Sequence, residues 1–123
     1  MLIGIDIIDI ERVKEAIERT PRFLKRVFTR QEIDYCLSKK NPYPSLAARF
    51  AAKEAVRKVH PLFISGIRYH DTEVVLNEKG QPQIVLHGKA LERFEAHFAQ
   101  IAVSLSHAEK QAIAAVIVEE RIK

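Results

Sequence analysis

The chain has 123 residues, of which 47% are hydrophobic and 29% charged, and its formal net charge is +4. This length is typical of one domain, here residues 1–123, and the composition excludes a disordered or fibrous protein. The only cysteine, Cys36, excludes an intramolecular disulfide, and no apolar run reaches membrane-spanning length, so a cytoplasmic protein is expected.

The N-terminal segment is predicted to be a strand. Its residues alternate with a period of two from Leu2 to Ile8, which places Gly4 and Asp6 on the same face. The segment carries Asp6 and Asp9 and lacks a basic region before its apolar residues, so we do not expect a signal peptide.

Four helices are expected to follow this strand. The first begins at Asp9, a plausible N-cap, and the third begins after Thr29, which has the capping-box spacing to Glu32. Ser45 is placed to cap the fourth. The expected bounds are Asp9 to about Arg19, a short helix up to Phe28, Arg30 to about Lys39, and Leu46 to about Val59.

The fourth helix carries two contrasting faces. One face is a stripe of small apolar side chains that could pack very close to a sheet, namely Ala48, Ala51, Ala52, Ala55, Val56 and Val59. The opposite face carries Arg49, Phe50, Lys53 and Arg57. Glu54 lies at the border between the two faces, and Lys58 lies one turn beyond it.

The C-terminal half is predicted to be rich in strands. Two of them form a hairpin around Glu78-Lys79-Gly80-Gln81-Pro82. The expected elements are strands Thr72 to Asn77 and Gln83 to His87, a helix from Gly88 to Phe98, and strands Ile101 to Ser106 and Ala112 to Glu119. The predicted fold class is α+β, with the N-terminal strand and helices packed on an antiparallel sheet.

Asp6 and Glu54 are candidate metal ligands. Each stands beside apolar residues expected in a core, where a carboxylate is costly unless it is paired or bound to a metal. Two carboxylates are the minimum for Mg²⁺, which keeps several waters and takes its other ligands from substrate phosphates. Alternatively, Asp6 caps the nearby helix and Glu54 pairs with Lys58 four residues later.

The cations around Glu54 and one histidine are further candidates for a role in binding or catalysis. Arg49, Lys53 and Lys58 could neutralise phosphate charge, or they could form a solvated helix face. His107 ends a predicted strand and could be an acid or base, a phosphate donor or an ordinary turn residue.

The positive charge is concentrated in one segment. Between Arg12 and Arg30 the sequence has seven basic and two acidic residues. Such a segment favours an acidic partner, which could be a protein, a phosphate-bearing ligand or a nucleic acid. Charge alone does not choose among them.

Three signatures in order carry a family resemblance: Gly4-Ile5-Asp6-Ile7, Arg49-Phe50-Ala51-Ala52-Lys53-Glu54-Ala55 and Ser104-Leu105-Ser106-His107. Over nearly its whole length the chain resembles the holo-acyl-carrier-protein synthase family of 4′-phosphopantetheinyl transferases. The resemblance implies that family's fold and a Mg²⁺-dependent reaction of fatty acid biosynthesis. In that reaction the 4′-phosphopantetheine arm of coenzyme A is transferred to a serine of acyl carrier protein, with release of adenosine 3′,5′-bisphosphate.

The resemblance also implies roles for particular residues. Asp6 and Glu54 would bind the metal, and Glu54, Lys58 and His107 would be catalytic. Coenzyme A would contact Arg49, Lys53, Lys58, Gly66 and His107. The acidic carrier protein would dock on Arg12, Arg19, Arg22 and Arg26. Family members are typically homotrimers with sites between subunits, so His107 could serve a neighbour's site.

The sequence departs from the family pattern where the nucleotide is expected. A Gly-Thr-Gly-Ile stretch is usual after the central helix, but the segment from His60 to Ile67 keeps only Gly66 and Ile67 of it. Gly-Lys-Pro in the hairpin is replaced by Gly80-Gln81-Pro82, which removes one cation. The adenosine contacts are therefore expected to differ, and Arg68 is a candidate substitute.

Three other interpretations are weighed against the transferase. A small basic nucleic-acid-binding protein would use the segment from Arg12 to Arg30 as a phosphate track. A metal-dependent phosphohydrolase would share Asp6 and Glu54 but would use water as the acceptor. A purely structural oligomer would need neither carboxylate. The general base stays open among His107, Asp34, Glu32 and a metal-bound water.

Overall fold

The computed structural model describes residues 1–122 as a mixed fold of helices and antiparallel strands. The strands are β1 (Leu2–Asp9), β2 (Thr72–Leu76), β3 (Pro82–Leu86), β4 (Phe98–His107) and β5 (Gln111–Glu120). The helices are α1 (Ile10–Arg19), α2 (Phe23–Val27), α3 (Arg30–Leu37), α4 (Tyr43–Val59) and α5 (Gly88–His97), with short 3₁₀ turns at Pro61–Phe63 and Tyr69–Asp71. Within residues 1–122, none of the helices combines the length and the apolar character needed to cross a membrane.

The larger sheet joins the two ends of the chain. β5 lies between β1 and β4, so that Gly4 and Val103 both lie opposite Val116. The hairpin of β2 and β3 forms a separate two-stranded sheet. The sequence pattern identifies these strands but does not show their division between two sheets.

Helix α4 packs across the inner face of the larger sheet. The predicted stripe of small residues is buried, with Ala51, Ala52 and Ala55 fully inaccessible. A Cβ atom at Gly4 would overlap the carbonyl oxygen of Ala55 and would lie 2.9 Å from Cγ2 of Val59. The absence of a side chain at Gly4 therefore allows β1 to approach α4 closely.

The other side of α4 is covered by the N-terminal helices. A second apolar cluster there includes Val13, Phe28, Cys36 and Leu46, each at most 2% exposed. Because α4 is covered on both sides, the alternative of a solvated helix face does not hold for Arg49 and Lys53. Arg49 and Lys53 are 5% and 1% exposed.

A buried ion pair joins α3, α4 and β2. Lys53 Nζ lies 2.7 Å from Glu32 Oε1, and both side chains are at most 1% exposed. Lys53 also donates to the carbonyl oxygens of Tyr69 and Thr72. Glu32 accepts from the amide of Val74 at 2.9 Å. Each charge therefore has several partners, as burial of an ion pair requires.

The predicted helix starts are confirmed in part. The capping box is present, since Thr29 Oγ1 accepts from the amide of Glu32 and Glu32 Oε1 accepts from the amide of Thr29. Asp9 occupies the N-cap position of α1, but its side chain makes no capping hydrogen bond and instead accepts one from Gln111.

The predicted start of α4 at Leu46 is wrong. The helix begins at Tyr43, and Ser45 lies inside its first turn rather than capping it. Pro44 is tolerated there because the first amides of a helix have no intrahelical acceptor. Strand β4 also begins earlier than predicted, directly after α5 ends at His97.

Candidate active site

Asp6 and Glu54 meet at one cavity. They come from the middle of β1 and from α4, and both line a space of about 420 Å³ between β1, α1 and α4. Arg12, Phe23 and Phe50 also line it. The close approach at Gly4 and Ala55, near Asp6 and Glu54 in sequence, is what brings the two elements together.

Lys58 pairs with Asp6. Its Nζ lies 2.8 Å from Asp6 Oδ1, the Lys58 side chain is 55% exposed, and that of Asp6 is 14% exposed. This hydrogen bond and the charge of Asp6 raise the pKa of Lys58, with a smaller contribution from Glu54. The two alternatives, a capping role for Asp6 and a Glu54–Lys58 pair, do not describe this arrangement.

Glu54 is held by a residue that sequence reasoning missed. The hydroxyl of Tyr69 donates to Glu54 Oε1 at 2.6 Å. Partial burial, this hydrogen bond and the charge of Glu54 raise the pKa of Tyr69 to about 12. Tyr69 lies 15 positions from Glu54 in a 3₁₀ turn. No spacing rule relates the two positions, so the sequence carries no signal for the contact.

The donor set around the cavity fits a hard cation that needs few protein ligands. Two carboxylates from separate elements line it. Among residues 1–122, no group of three or more His, Cys, Asp or Glu side chains could hold a metal ion. Such a site suits Mg²⁺, which needs only one or two carboxylates beside waters and substrate phosphates, better than Zn²⁺, which takes at least three protein ligands, or Ca²⁺, which takes six to eight oxygen ligands.

Lys53 and Arg49, which were predicted to contact coenzyme A, are buried and do not line the cavity with Asp6 and Glu54. Burial lowers the pKa of Lys53, although its pair with Glu32 acts in the opposite direction. Arg49 Nη1 donates to the carbonyl of Ser45 at 3.3 Å, and its guanidinium lies 4.6 Å from the centre of the Tyr35 ring. Both cations are turned into the protein, because α4 is covered on this side as well.

The same geometry removes one candidate general base. Glu32 is 1% exposed and is bound to Lys53, so it is not free to accept a proton from a substrate. Asp34 is exposed and pairs with Arg30 at 3.3 Å. Neither residue lines the cavity with Asp6 and Glu54.

His107 lies apart from the two carboxylates within this chain. It is exposed at the end of β4 and lies opposite Ala112, which in turn lies opposite Ile8 of β1. It is two strand spacings away from β1, a distance of about 10 Å. It does not line the cavity that contains Asp6.

The altered loop before Gly66 is built around apolar packing. Phe63 is fully buried and stacks on Phe98 at 5.4 Å between ring centres. Arg93 donates to the carbonyls of Leu62 and Ser65. Gly66 has a φ of +73°, which a residue with a side chain rarely adopts. The loop thus keeps a glycine turn without the usual glycine-rich sequence.

The predicted docking arginines are all on the surface. Arg12, Arg19, Arg22 and Arg26 are exposed on α1, on α2 or between them. Arg12 also lines the cavity with Asp6 and Glu54. The basic surface therefore begins at the rim of the candidate site.

The outer face of the larger sheet is apolar. Ile3, Ile5 and Ile7 on β1 are 65%, 55% and 58% exposed, and Ile117 on β5, opposite Ile3, is 39% exposed. Neighbouring positions on this face include Ala115, opposite Ile5, and Ile113, opposite Ile7. A row of exposed isoleucines marks an interaction surface more often than an ordinary solvated face.

The chain is similar to known proteins over most of its length. A family described as the 4′-phosphopantetheinyl transferase superfamily matches residues 2–116. The chain is 41% identical over 118 residues to a holo-[acyl-carrier-protein] synthase of Caldanaerobacter subterraneus subsp. tengcongensis, covering 95% of this chain and 93% of that one. It is 44% identical over 117 residues to one of Moorella thermoacetica, covering 94% and 91%.

Solved structures agree with the fold. The holo-[acyl-carrier-protein] synthase of Helicobacter pylori in complex with coenzyme A is 30% identical and superimposes with a TM-score of 0.79, covering 96% of this chain and 100% of that one. A coenzyme A complex from Chronobacterium ammoniagenes has a TM-score of 0.85 at 23% identity, covering 98% of both chains. At that lower identity the likeness concerns the fold alone.

Proposed function

The chain belongs to the 4′-phosphopantetheinyl transferase superfamily, and from this we propose that it is a holo-acyl-carrier-protein synthase. It transfers 4′-phosphopantetheine from coenzyme A to a serine of apo-acyl carrier protein. The serine oxygen bonds to the phosphorus next to the pantetheine arm, the phosphoanhydride bond breaks, adenosine 3′,5′-bisphosphate leaves, and the serine proton passes to a base. The observation that carries the proposal is the meeting of Asp6 and Glu54 at one cavity.

In this proposal Asp6 and Glu54 hold Mg²⁺. The bound ion would neutralise the charge on pyrophosphate oxygens as the phosphoanhydride bond breaks. Lys58 is the one predicted phosphate-binding lysine that remains exposed, and its contact with Asp6 keeps an ammonium at the site. Stabilising charge in this way is the main requirement of phosphoryl transfer.

We infer that the chain works as a homotrimer with sites between subunits. The uncovered apolar face formed by Ile3, Ile5, Ile7 and Ile117 supports self-association. His107, which lies about 10 Å from β1 at the usual strand spacing, would then act at a neighbour's site together with Gly66. In such a trimer His107 would take part in the reaction at a neighbour's site, whereas within a single chain it lies apart from Asp6 and Glu54.

The carrier protein is proposed to dock on the surface formed by Arg12, Arg19, Arg22 and Arg26. These side chains are exposed, and Arg12 is shared with the cavity, so a carrier bound here would have its serine near Asp6 and Glu54. Acyl carrier proteins are acidic, so the charges are complementary. The comparisons give the nucleic-acid-binding alternative no support.

The proposed setting is fatty acid biosynthesis in the cytoplasm. The buried free thiol of Cys36 agrees with a reducing compartment. Burial raises the pKa of this thiol, which disfavours the reactive thiolate.

The first test of the proposed reaction is the intact mass of an apo-acyl carrier protein after incubation with this protein, coenzyme A and Mg²⁺. A gain of one phosphopantetheine is expected, and it should be abolished by EDTA and by Glu54→Gln. Glu92→Gln, which makes the same change at an exposed position of α5, should leave the gain intact. No gain with several carriers would refute the proposal.

The docking surface is tested by Arg19→Glu and Arg22→Glu. Charge reversal should raise the KM for the carrier by about tenfold or more with little change in kcat. Lys79→Glu, an equal change at an exposed turn, is the control. A normal KM in the arginine variants would exclude this surface.

Assembly is tested by Ile5→Asp, which should give monomers in analytical ultracentrifugation. The control is Leu37→Asp, because Leu37 lies away from the sheet and is 53% exposed, against 55% for Ile5. This variant should stay trimeric. A trimer that survives Ile5→Asp would place its interface elsewhere.

A further inference from the structure

The two proposed metal ligands are arranged in the same way. Each has one carboxylate oxygen engaged by a side chain from elsewhere: Asp6 Oδ1 by Lys58 at 2.8 Å, and Glu54 Oε1 by Tyr69 at 2.6 Å. Among the described residues, the second oxygen of each carboxylate has no hydrogen-bond partner from the protein. The free oxygens, Oδ2 and Oε2, are the ones available to a cation.

The two partners differ in charge. Lys58 is an exposed cation and competes with a metal for Asp6, whereas the Tyr69 phenol is a neutral donor. A neutral donor can fix a carboxylate without cancelling its charge. Glu54 has more rotatable bonds than Asp6 and gains more from being fixed before a ligand arrives.

Tyr69 is itself held from several directions. Its ring stacks on Phe50 with 5.7 Å between ring centres, and the guanidinium of Arg57 lies 5.2 Å from the ring centre. Its carbonyl accepts from the buried Lys53 at 3.2 Å. The hydroxyl therefore points at Glu54 from a fixed base rather than from a mobile side chain.

We propose that Tyr69 is a positioning residue that fixes Glu54 Oε1 and presents Glu54 Oε2 to the metal ion. The inference rests on the proposed function, since it takes Glu54 to be a metal ligand. Residues that orient a metal ligand in this way commonly account for about tenfold to a hundredfold of metal affinity.

Tyr69→Phe tests the inference because it removes only the hydroxyl and keeps the stacked ring. Mn²⁺ binding is measured by electron paramagnetic resonance on the protein without coenzyme A or carrier. We expect the dissociation constant to rise about tenfold, which corresponds to about 1.4 kcal/mol. Tyr35→Phe, at an exposed tyrosine that contacts Arg49, should leave it unchanged.

Turnover supplies a second readout. In Tyr69→Phe the Mg²⁺ concentration for half-maximal rate should rise about tenfold, while kcat at saturating Mg²⁺ stays within about twofold. In a Glu54→Gln background, Tyr69→Phe should have no further effect on Mn²⁺ binding. A merely structural tyrosine would instead lower the unfolding midpoint in metal-free buffer and leave metal affinity unchanged.

The outcomes separate this inference from the proposed function. Wild-type protein that binds Mn²⁺, with an unchanged affinity in Tyr69→Phe, would overturn the positioning role and leave the metal site standing. Wild-type protein that transfers phosphopantetheine but binds no Mn²⁺ would overturn both the metal ligands and the role of Tyr69. Active wild-type protein with weakened Mn²⁺ binding in Tyr69→Phe supports both.

Discussion

Replacing Lys53 by methionine distinguishes a structural lysine from a phosphate ligand. The Lys53 ammonium is 1% exposed and pairs with Glu32, whose side chain is fully buried. Lys53→Met leaves that carboxylate buried with two amide donors but no cation. Breaking a buried ion pair from one side costs about 3–5 kcal/mol. Taking the lower value, because Glu32 keeps its amide donors, the unfolding midpoint should fall by about 12 °C for a chain of this size.

The assay is thermal unfolding by circular dichroism at one fixed protein concentration. The double variant Glu32→Gln with Lys53→Met should recover more than half of the loss, because no unpaired charge remains. Lys58→Met removes an exposed ion pair and should cost less than about 1 kcal/mol. A midpoint for Lys53→Met within about 2 °C of wild type, combined with a higher KM for coenzyme A, would refute the structural role.

Three further predictions concern the site and its supports. Gly4→Ala forces a methyl group against the Ala55 carbonyl. It should lower the free energy of unfolding, measured in urea, by about 3 kcal/mol and should weaken Mn²⁺ binding. An unchanged stability would contradict the close approach of β1 to α4. Lys58→Met should tighten Mn²⁺ binding by a few fold, because Asp6 loses its competing cation, and it should lower kcat at saturating Mg²⁺. If calorimetry shows weaker Mn²⁺ binding in this variant, the competition between Lys58 and the metal is contradicted. Burial alone would raise the pKa of Glu73, but its hydrogen bonds with Thr29 and His87, together with the charges of His87 and Lys53, outweigh burial and lower it below 4.5. Its contribution to stability is therefore present above about pH 4.5 and is lost as the pH falls further, so Glu73→Gln should flatten the acid limb of the unfolding free energy.

Most helices and strands could be predicted because their positions depend on residues that are close together in the sequence. The alternation in β1, the small stripe of α4 and the capping box at Thr29 all depend on residues a few positions apart, and all three are confirmed. The start of α4 was missed because Pro42 and Pro44 are typical of a loop, although a helix also tolerates proline in its first turn.

Burial was harder to predict than secondary structure. Lys53 and Arg49 belong to a polar helix face by spacing, and spacing cannot show that α3 and β2 cover that face. Lys53 is stable there because Glu32, 21 positions earlier, supplies the opposite charge. The contact of Tyr69 with Glu54 is likewise set by tertiary packing, so neither role could be read from the sequence around it.

The packing of α4 on β1 links the stability of the fold to its chemistry. Gly4 and Ala55 bring the backbone of the strand against that of the helix, and Asp6 and Glu54 lie within two positions of that contact. The separation of the two carboxylates is therefore fixed by the smallest side chains in the core. A larger residue at Gly4 or Ala55 would move α4 as a unit, because protein interiors are too closely packed to absorb it locally. The small-residue stripe, which has the pattern of ordinary core packing, thus also determines how the two proposed metal ligands are placed relative to each other.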